Sequence, residues 1–360
     1  MSYRFTRTKL LSLVVALGLV ATACGGGTAT PSPSAAGSSQ ATASAAAGTL
    51  PAPELTTIRI GISAPTEPVQ YAEKLADTLG YYKEAGFTNV QVTGFEGDGK
   101  ALQALVAGQL DFFVGGVTAA ISSQLTDTPV KVISINSVLN TDGLYCKSSI
   151  KTKDDVKGKA IAISTFGGTS HGSALIAVKI MGFTPKDVVI KEVGGEGTRI
   201  AALMGGSIDC IMAGLQSDTT LKGAGMNLIV DVTKGGQWGR SGLMARTDFI
   251  QKNPNAVLDV VASTVRAQNY FWTNNADAAT KFADWSQRKP ADANDAVKAF
   301  LDYGLRSMIF TEEAFVAPQQ VLSTVNAPTA GVDLKKCYDL SFLQKLQTNA
   351  FYTKYSIPTK

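Results

Sequence analysis

Gly168-Thr169-Ser170-His171-Gly172 carries the most explicit chemical pattern in the chain, matching the G-x-S-x-G turn that presents a nucleophilic serine between a strand and a helix. The pattern fails as chemistry. A serine nucleophile needs a base from elsewhere in the fold, and the single histidine, His171, is its immediate neighbour. Ser170 also stands well past Ser164, where the preceding apolar run ends. Metal chemistry has no better footing, since Cys146, Cys210 and Cys337 are far apart and one histidine cannot build a His-rich site. No cofactor and no enzymatic activity are expected. What the loop does offer is a Gly/Ser/Thr-rich helix start, whose unpaired N–H groups and positive dipole end seat an anion or a carbonyl. Thr169 or Ser170 also suits plain helix capping, and the two roles are compatible.

The elements that position this loop belong to a repeat. Gly99 to Gly116 (GKALQALVAGQLDFFVGG) aligns without a gap on Gly197 to Gly214 (GTRIAALMGGSIDCIMAG), with six identities, Gly99/Gly197, Ala104/Ala202, Leu105/Leu203, Gly108/Gly206, Asp111/Asp209 and Gly116/Gly214. In each copy Leu102, Leu105 and Val106 (Ile200, Leu203 and Met204) have the spacing of a buried helix face. Gly108 and Gly206 suit the left-handed position that ends a helix. A short apolar strand follows, ending in small residues where backbone can approach a ligand. Upstream, Ile58 to Ser63 answers Ala160 to Ser164, and Val90 to Phe95 answers Val188 to Val193. Each unit therefore reads strand, helix, strand, helix, strand, giving two similar lobes with parallel sheets. Such sheets bind ligands beyond the carboxyl ends of their strands.

Residues 1–23 combine Arg4, Arg7 and Lys9 with an uncharged apolar run too short to span a bilayer, which is a secretory signal. Ala21-Thr22-Ala23-Cys24 resembles a lipobox, with Cys24 as the lipidated first residue. Residues 24–53 form an uncharged Gly/Ala/Ser/Thr/Pro tether that cannot bury a core and is expected to be disordered. The formal charge of +4 belongs to the signal, whose removal leaves the mature chain near balance. Nothing argues for nucleic acid. After the tether, lobe one is expected over 54–145 plus 243–360 and lobe two over 146–242, with crossings near 143–148 and 240–246 acting as the hinge. From Thr247 the strands stop, and helices with Val257, Val260, Val261 and Val265 on one face finish lobe one. One pair among Cys146, Cys210 and Cys337 could bridge in an extracytoplasmic setting, although Cys210, in a buried-type strand, reads as an inert core thiol.

Taken together, the phrases IRIGIS, YAEKLADTLGYYKEAG, GKALQALVAGQLDFFVGG, DVKGKAIAIS and GGTSHG resemble substrate-binding proteins of ABC importers, in the nitrate/sulfonate/taurine group with its thiamine-pyrimidine relatives. The resemblance implies an α/β, two-lobe type II periplasmic-binding fold, with duplicated βαβαβ units, a two-segment hinge and a helical C-terminal part. It also implies a monomer that captures a small molecule by lobe closure, hands it to an ABC permease and sits at the outer face of the cell membrane, anchored through Cys24.

The site is then expected from strand-end loops of both lobes. Lobe one contributes Ser63, Ala64, Pro65, Thr66, Gly115, Gly116, Thr118 and Asn136; lobe two contributes Thr165, Gly168, Thr169, Ser170, His171, Ala213, Gly214 and Gln216. Trp238 is expected as an apolar wall. Backbone N–H groups at Gly116 and Thr169, with the hydroxyls of Thr118, Thr169 and Ser170, are the expected orienting donors. A small organic anion, sulfonate- or nitrate-like, is the ligand the resemblance implies, yet these loops contain no Lys or Arg. Arg199 and Arg240 are the nearest bases, and Glu67 and Glu196 suit an amine or aminopyrimidine instead.

Overall fold

The computed structural model describes residues 48–359. The signal segment, Cys24 and most of the tether lie outside the described residues. Residues 48–53, expected to be disordered with the rest of the tether, instead pack on lobe one: Gly48 N–H donates to Asn349 O, and Asn255 Nδ2 donates to Ala52 O. Glu54 explains the docking, because its carboxylate accepts from the N–H groups of Asn255 and Ala256 at the start of the helix Pro254–Thr273.

Among the described residues, ten strands form two sheets of five. The first sheet contains β1 (Thr57–Ile62), β2 (Asn89–Gly94), β3 (Phe112–Gly115) and β4 (Val130–Leu139), and the second β6 (Ala160–Ile163), β7 (Val189–Glu192), β8 (Cys210–Gly214) and β9 (Asn227–Asp231). Each receives its fifth strand from the connection between lobes: β5 (Asp142–Cys146) enters the second sheet and β10 (Gln237–Arg246) the first. The spatial orders are β2-β1-β3-β10-β4 and β7-β6-β8-β5-β9, the same plan twice.

The inserted strands run antiparallel to both neighbours, whereas β1 is parallel to β2 and β3, and β6 to β7 and β8. Both sheets are therefore mixed, correcting the expectation of parallel ones. The crossings lie at 140–141 and 232–236, somewhat earlier than the spans expected for them. Gln237 to Arg240 opens β10, which pairs along β4 as far back as Leu139.

The repeated helices are Asp98–Val106 and Glu196–Met204. Their buried faces are rotated from expectation, since Val106 and Met204 are exposed. The buried line runs Asp98, Ala101, Leu105 in one and Glu196, Arg199, Leu203 in the other, at i, i+3, i+7. The face that packs Leu105 or Leu203 on its sheet thus turns an acid inward at the helix start. Gly108 and Gly206 do take the left-handed conformation beyond these helices, with φ of 72° and 73°.

Cys210 is not an inert thiol. It is bonded to Cys146 across the paired strands β8 and β5, leaving Cys337 buried and free. The helical tail packs chiefly on lobe one. Its helix Glu313–Ser323 also serves lobe two, placing Val321 in that lobe's core.

Candidate functional site

The carboxyl ends of β1 and β6 face each other across a cleft, and the loops after them enclose a cavity of about 230 Å³. Lobe one lines it with Ser63 to Glu67, Gln70 and Phe95 to Asp98; lobe two with Asp142, Ser164, Thr169, Ser170 and Gly195 to Arg199. Arg240 enters from β10. Five carboxylates and two guanidiniums are therefore present.

Arg240 joins the lobes at the back of the cleft. Its Nη2 donates to Glu67 Oε2 of lobe one at 2.5 Å and to Asp142 Oδ1 of lobe two at 2.9 Å, with all three side chains buried. Burial opposes charge on Arg240, but Asp142 and Glu67 outweigh it and hold the guanidinium more firmly protonated than usual. Burial pushes the Glu67 carboxyl up, with Asp142 and Glu196 adding to that against the pull of Arg240. Asp142 Oδ2 accepts from Ser173 Oγ at 2.5 Å, tying the start of β5 to the helix Thr169–Ile180. Arg199 is spent differently, donating to the carbonyls of Met212 and Gly194 within lobe two.

Asp98 holds the front. Its Oδ1 accepts from Ser63 Oγ at 2.6 Å and Gly116 N–H at 3.3 Å in its own lobe, while Oδ2 accepts from Thr169 N–H at 2.5 Å and Thr169 Oγ1 at 2.8 Å across the cleft. Thr169 is the first residue of its helix. Beside this contact Gly99 N–H donates to Thr165 Oγ1 at 3.1 Å. Gly116 must be glycine for such an approach, because a Cβ there would run into Thr169 Oγ1.

Of the residues expected at the site, Ser63, Ala64, Pro65, Thr66, Thr169 and Ser170 line the cavity. Gly116, Thr165 and Gly168 sit just behind this lining, against Asp98 or its neighbours. The remaining expected residues do not line it. Gly115 is packed under Phe113 and Asp98, and Thr118 is buried with an unpartnered hydroxyl. Asn136 turns into lobe one, 3.5 Å from Glu73 Oε1. Ala213 is buried in lobe two's core, and the Gln216 side chain folds against Gly214.

His171 faces away from the cavity. Its Nδ1 accepts Gly167 N–H at 3.1 Å, its ring stands edge-on to Phe166, and burial lowers its pKa to about 4. Ser170 Oγ accepts Ser164 N–H and pairs with Ser164 Oγ, so the two residues of the hydrolase pattern have separate partners. Trp238 is fully buried behind Gly172, in lobe two's core rather than at a cleft wall. Sequence reasoning set Glu67 and Glu196 only near the site, and left Gln70, Phe95 to Asp98, Asp142, Gly195, Gly197 and Thr198 out of it.

A family model described as "NMT1/THI5 like" matches residues 71–278, more than half of the chain. The chain belongs to the NMT1/THI5-like family. No curated protein matches the sequence significantly. Among solved structures, this NMT1/THI5-like chain is similar to a protein of Bordetella bronchiseptica RB50, with TM-score 0.75, 21% identity and coverage of 85% of this chain and 100% of that one. The alkanesulfonate-binding protein SsuA of Xanthomonas axonopodis pv. citri, bound to MOPS, gives TM-score 0.65 and 17% identity over 78% and 96%. The periplasmic nitrate-binding protein NrtA of Synechocystis PCC 6803 gives 0.65 and 16% over 86% and 93%. At these identities the likeness is one of fold: this NMT1/THI5-like protein has the two-lobe type II periplasmic-binding fold.

Proposed function

We propose that the chain is the solute-binding component of an ABC importer, a monomer held at the outer face of the cell membrane through Cys24 and delivering a small molecule to its permease. The observation that carries this reading is the 230 Å³ cavity between two lobes, lined by both, in a chain that crosses twice from one lobe to the other. A solute touching both lobes stabilises the closed form by differential contact, which is what a receiving permease can recognise.

Between the two ligand classes open from sequence, the charge of the cleft favours the nitrogenous one. A sulfonate- or nitrate-like anion would meet Glu67, Glu96, Asp98, Asp142 and Glu196, with Arg240 already shared by two carboxylates. An amine or aminopyrimidine, which donates hydrogen bonds, meets acceptors instead. The test is a thermal-shift panel of sulfonates, nitrate, aromatic carboxylates, amines and aminopyrimidines, followed by solution scattering. A ligand at 100 times its dissociation constant stabilises by about 2.7 kcal/mol. A shift with amines or aminopyrimidines accompanied by compaction is expected. A shift with sulfonates or nitrate alone reverses the ligand choice, and bound solute without any change in scattering removes lobe closure.

A further inference from the structure

We propose that Asp98 is the specificity-determining residue of this cleft: its carboxylate fills the seat an anionic ligand would take, so that the site refuses anions and admits hydrogen-bond donors. The inference rests on reading the cleft as a solute site and names the residue that sets its class of solute. The helix Thr169–Ile180 has twelve residues and points its N-terminus into the cleft, where its first N–H and the Thr169 hydroxyl are an anion's natural partners. Gly116 N–H and Ser63 Oγ converge on the same place from lobe one. All four donors are satisfied by one side chain of the protein.

The backbone around Asp98 is shaped for this insertion. Gly97, at φ 115°, and Gly99 flank it, and a Cβ on either would press on Ser164 or Thr165 of lobe two at 3.0–3.1 Å. A Cβ on Gly168 would approach Asp98 Oδ2 to 3.0 Å. Asp98 itself is only 4% exposed. An incoming anion must therefore displace a carboxylate fixed by four donors or bind beside it, and like charges at that distance repel. A ligand bearing N–H groups has neither obstacle.

Asp98→Ala empties the seat while leaving its donors in place. Formate, methanesulfonate and nitrate are the probes, read by thermal shift and calorimetry against chloride at equal ionic strength. Wild-type protein should be indifferent to them. The folded variant should bind at least one with saturation, at least about tenfold tighter than wild type, since charge-assisted bonds to the freed N–H groups are restored. Asp98→Asn, which keeps the shape of the side chain, goes through the same titration in case the alanine variant does not fold, with the same gain expected to be smaller. Wild-type protein that already binds these anions as tightly overturns the proposal, as does a folded variant indifferent to all of them. Because the probes are simple anions, the result is readable even if no transported solute is found, and failure of the import reading is seen separately in the solute panel.

Discussion

Asp98 and Glu196 stand at equivalent positions of the two repeats, one residue before Gly99 and Gly197, and each accepts from the glycine N–H at the end of its own lobe's repeated strand: Gly116 at 3.3 Å and Gly214 at 3.1 Å. Their second oxygens part company. That of Asp98 crosses to Thr169 in lobe two, while that of the longer Glu196 side chain stays at home, accepting from Ser217 Oγ at 2.7 Å. The shared contact braces a turn within a lobe; the unshared one makes a contact between lobes. A duplicated framework has thus placed two acids alike and left the surrounding loops to decide which of them faces the partner lobe.

Arg240 is the point at which that distinction can be broken most severely, because it belongs to both lobes at once. Arg240→Ala would leave Glu67 and Asp142 buried without their cation, and we expect a loss of about 3–5 kcal/mol in chemical denaturation. A loss under about 1 kcal/mol would mean that the two carboxylates relax without it. Next in size is an asymmetry between the repeated strands: β8 opens with Cys210, bonded to Cys146, where β3 opens with Phe112. Replacing both cysteines by serine should cost about 2–4 kcal/mol, with hydrogen-exchange protection falling in lobe two and holding in β1 and β3. Equal losses in both lobes would show that the sheets unfold as one unit.

The smallest effect concerns titration, where the first helices of the lobes carry opposite signs. Burial raises the Glu73 carboxyl to about 8 and lowers the His171 imidazole to about 4, so both are neutral near pH 6. For Glu73 the folded value lies above the unfolded one, so its contribution is full below about pH 4.5 and is lost as pH rises toward 8. For His171 the contribution is full above about pH 6.5 and is lost as pH falls toward 4. Glu73→Gln should therefore gain on wild type between about pH 5 and pH 8, by an amount on the order of 2 kcal/mol, in thermal unfolding across that range. A constant difference between the two proteins at every pH would place the Glu73 carboxyl in water.

The repeat was legible because helix-capping glycines and short apolar strands leave a local pattern. Strand direction leaves none. β5 and β10 carry nothing in their residues that marks their direction, and only the crossing of the chain makes them antiparallel. The donors at Gly116 and Thr169 were also legible, as a Gly/Ser/Thr turn and a strand end. What occupies them was not, since an acid in the first turn of a helix reads as ordinary dipole compensation. The i, i+3, i+7 line from Asp98 to Leu105 was the available signal, and weighting Val106 as buried turned that face away. Trp238 was misplaced for a related reason: an aromatic beside glycines looks like a loop tip until β10 is seen to begin there.

The exchange of β5 and β10 also sets an order of assembly. Lobe two's sheet is built from one uninterrupted run of chain, Asp142 to Asp231, and has all its strands as soon as that run exists. Lobe one's sheet has a gap between β3 and β4 that only residues 237–246 can fill. The lobe that begins the folded chain is therefore the one that must wait, its first four strands without a continuous sheet until the later lobe has been made and the chain has returned.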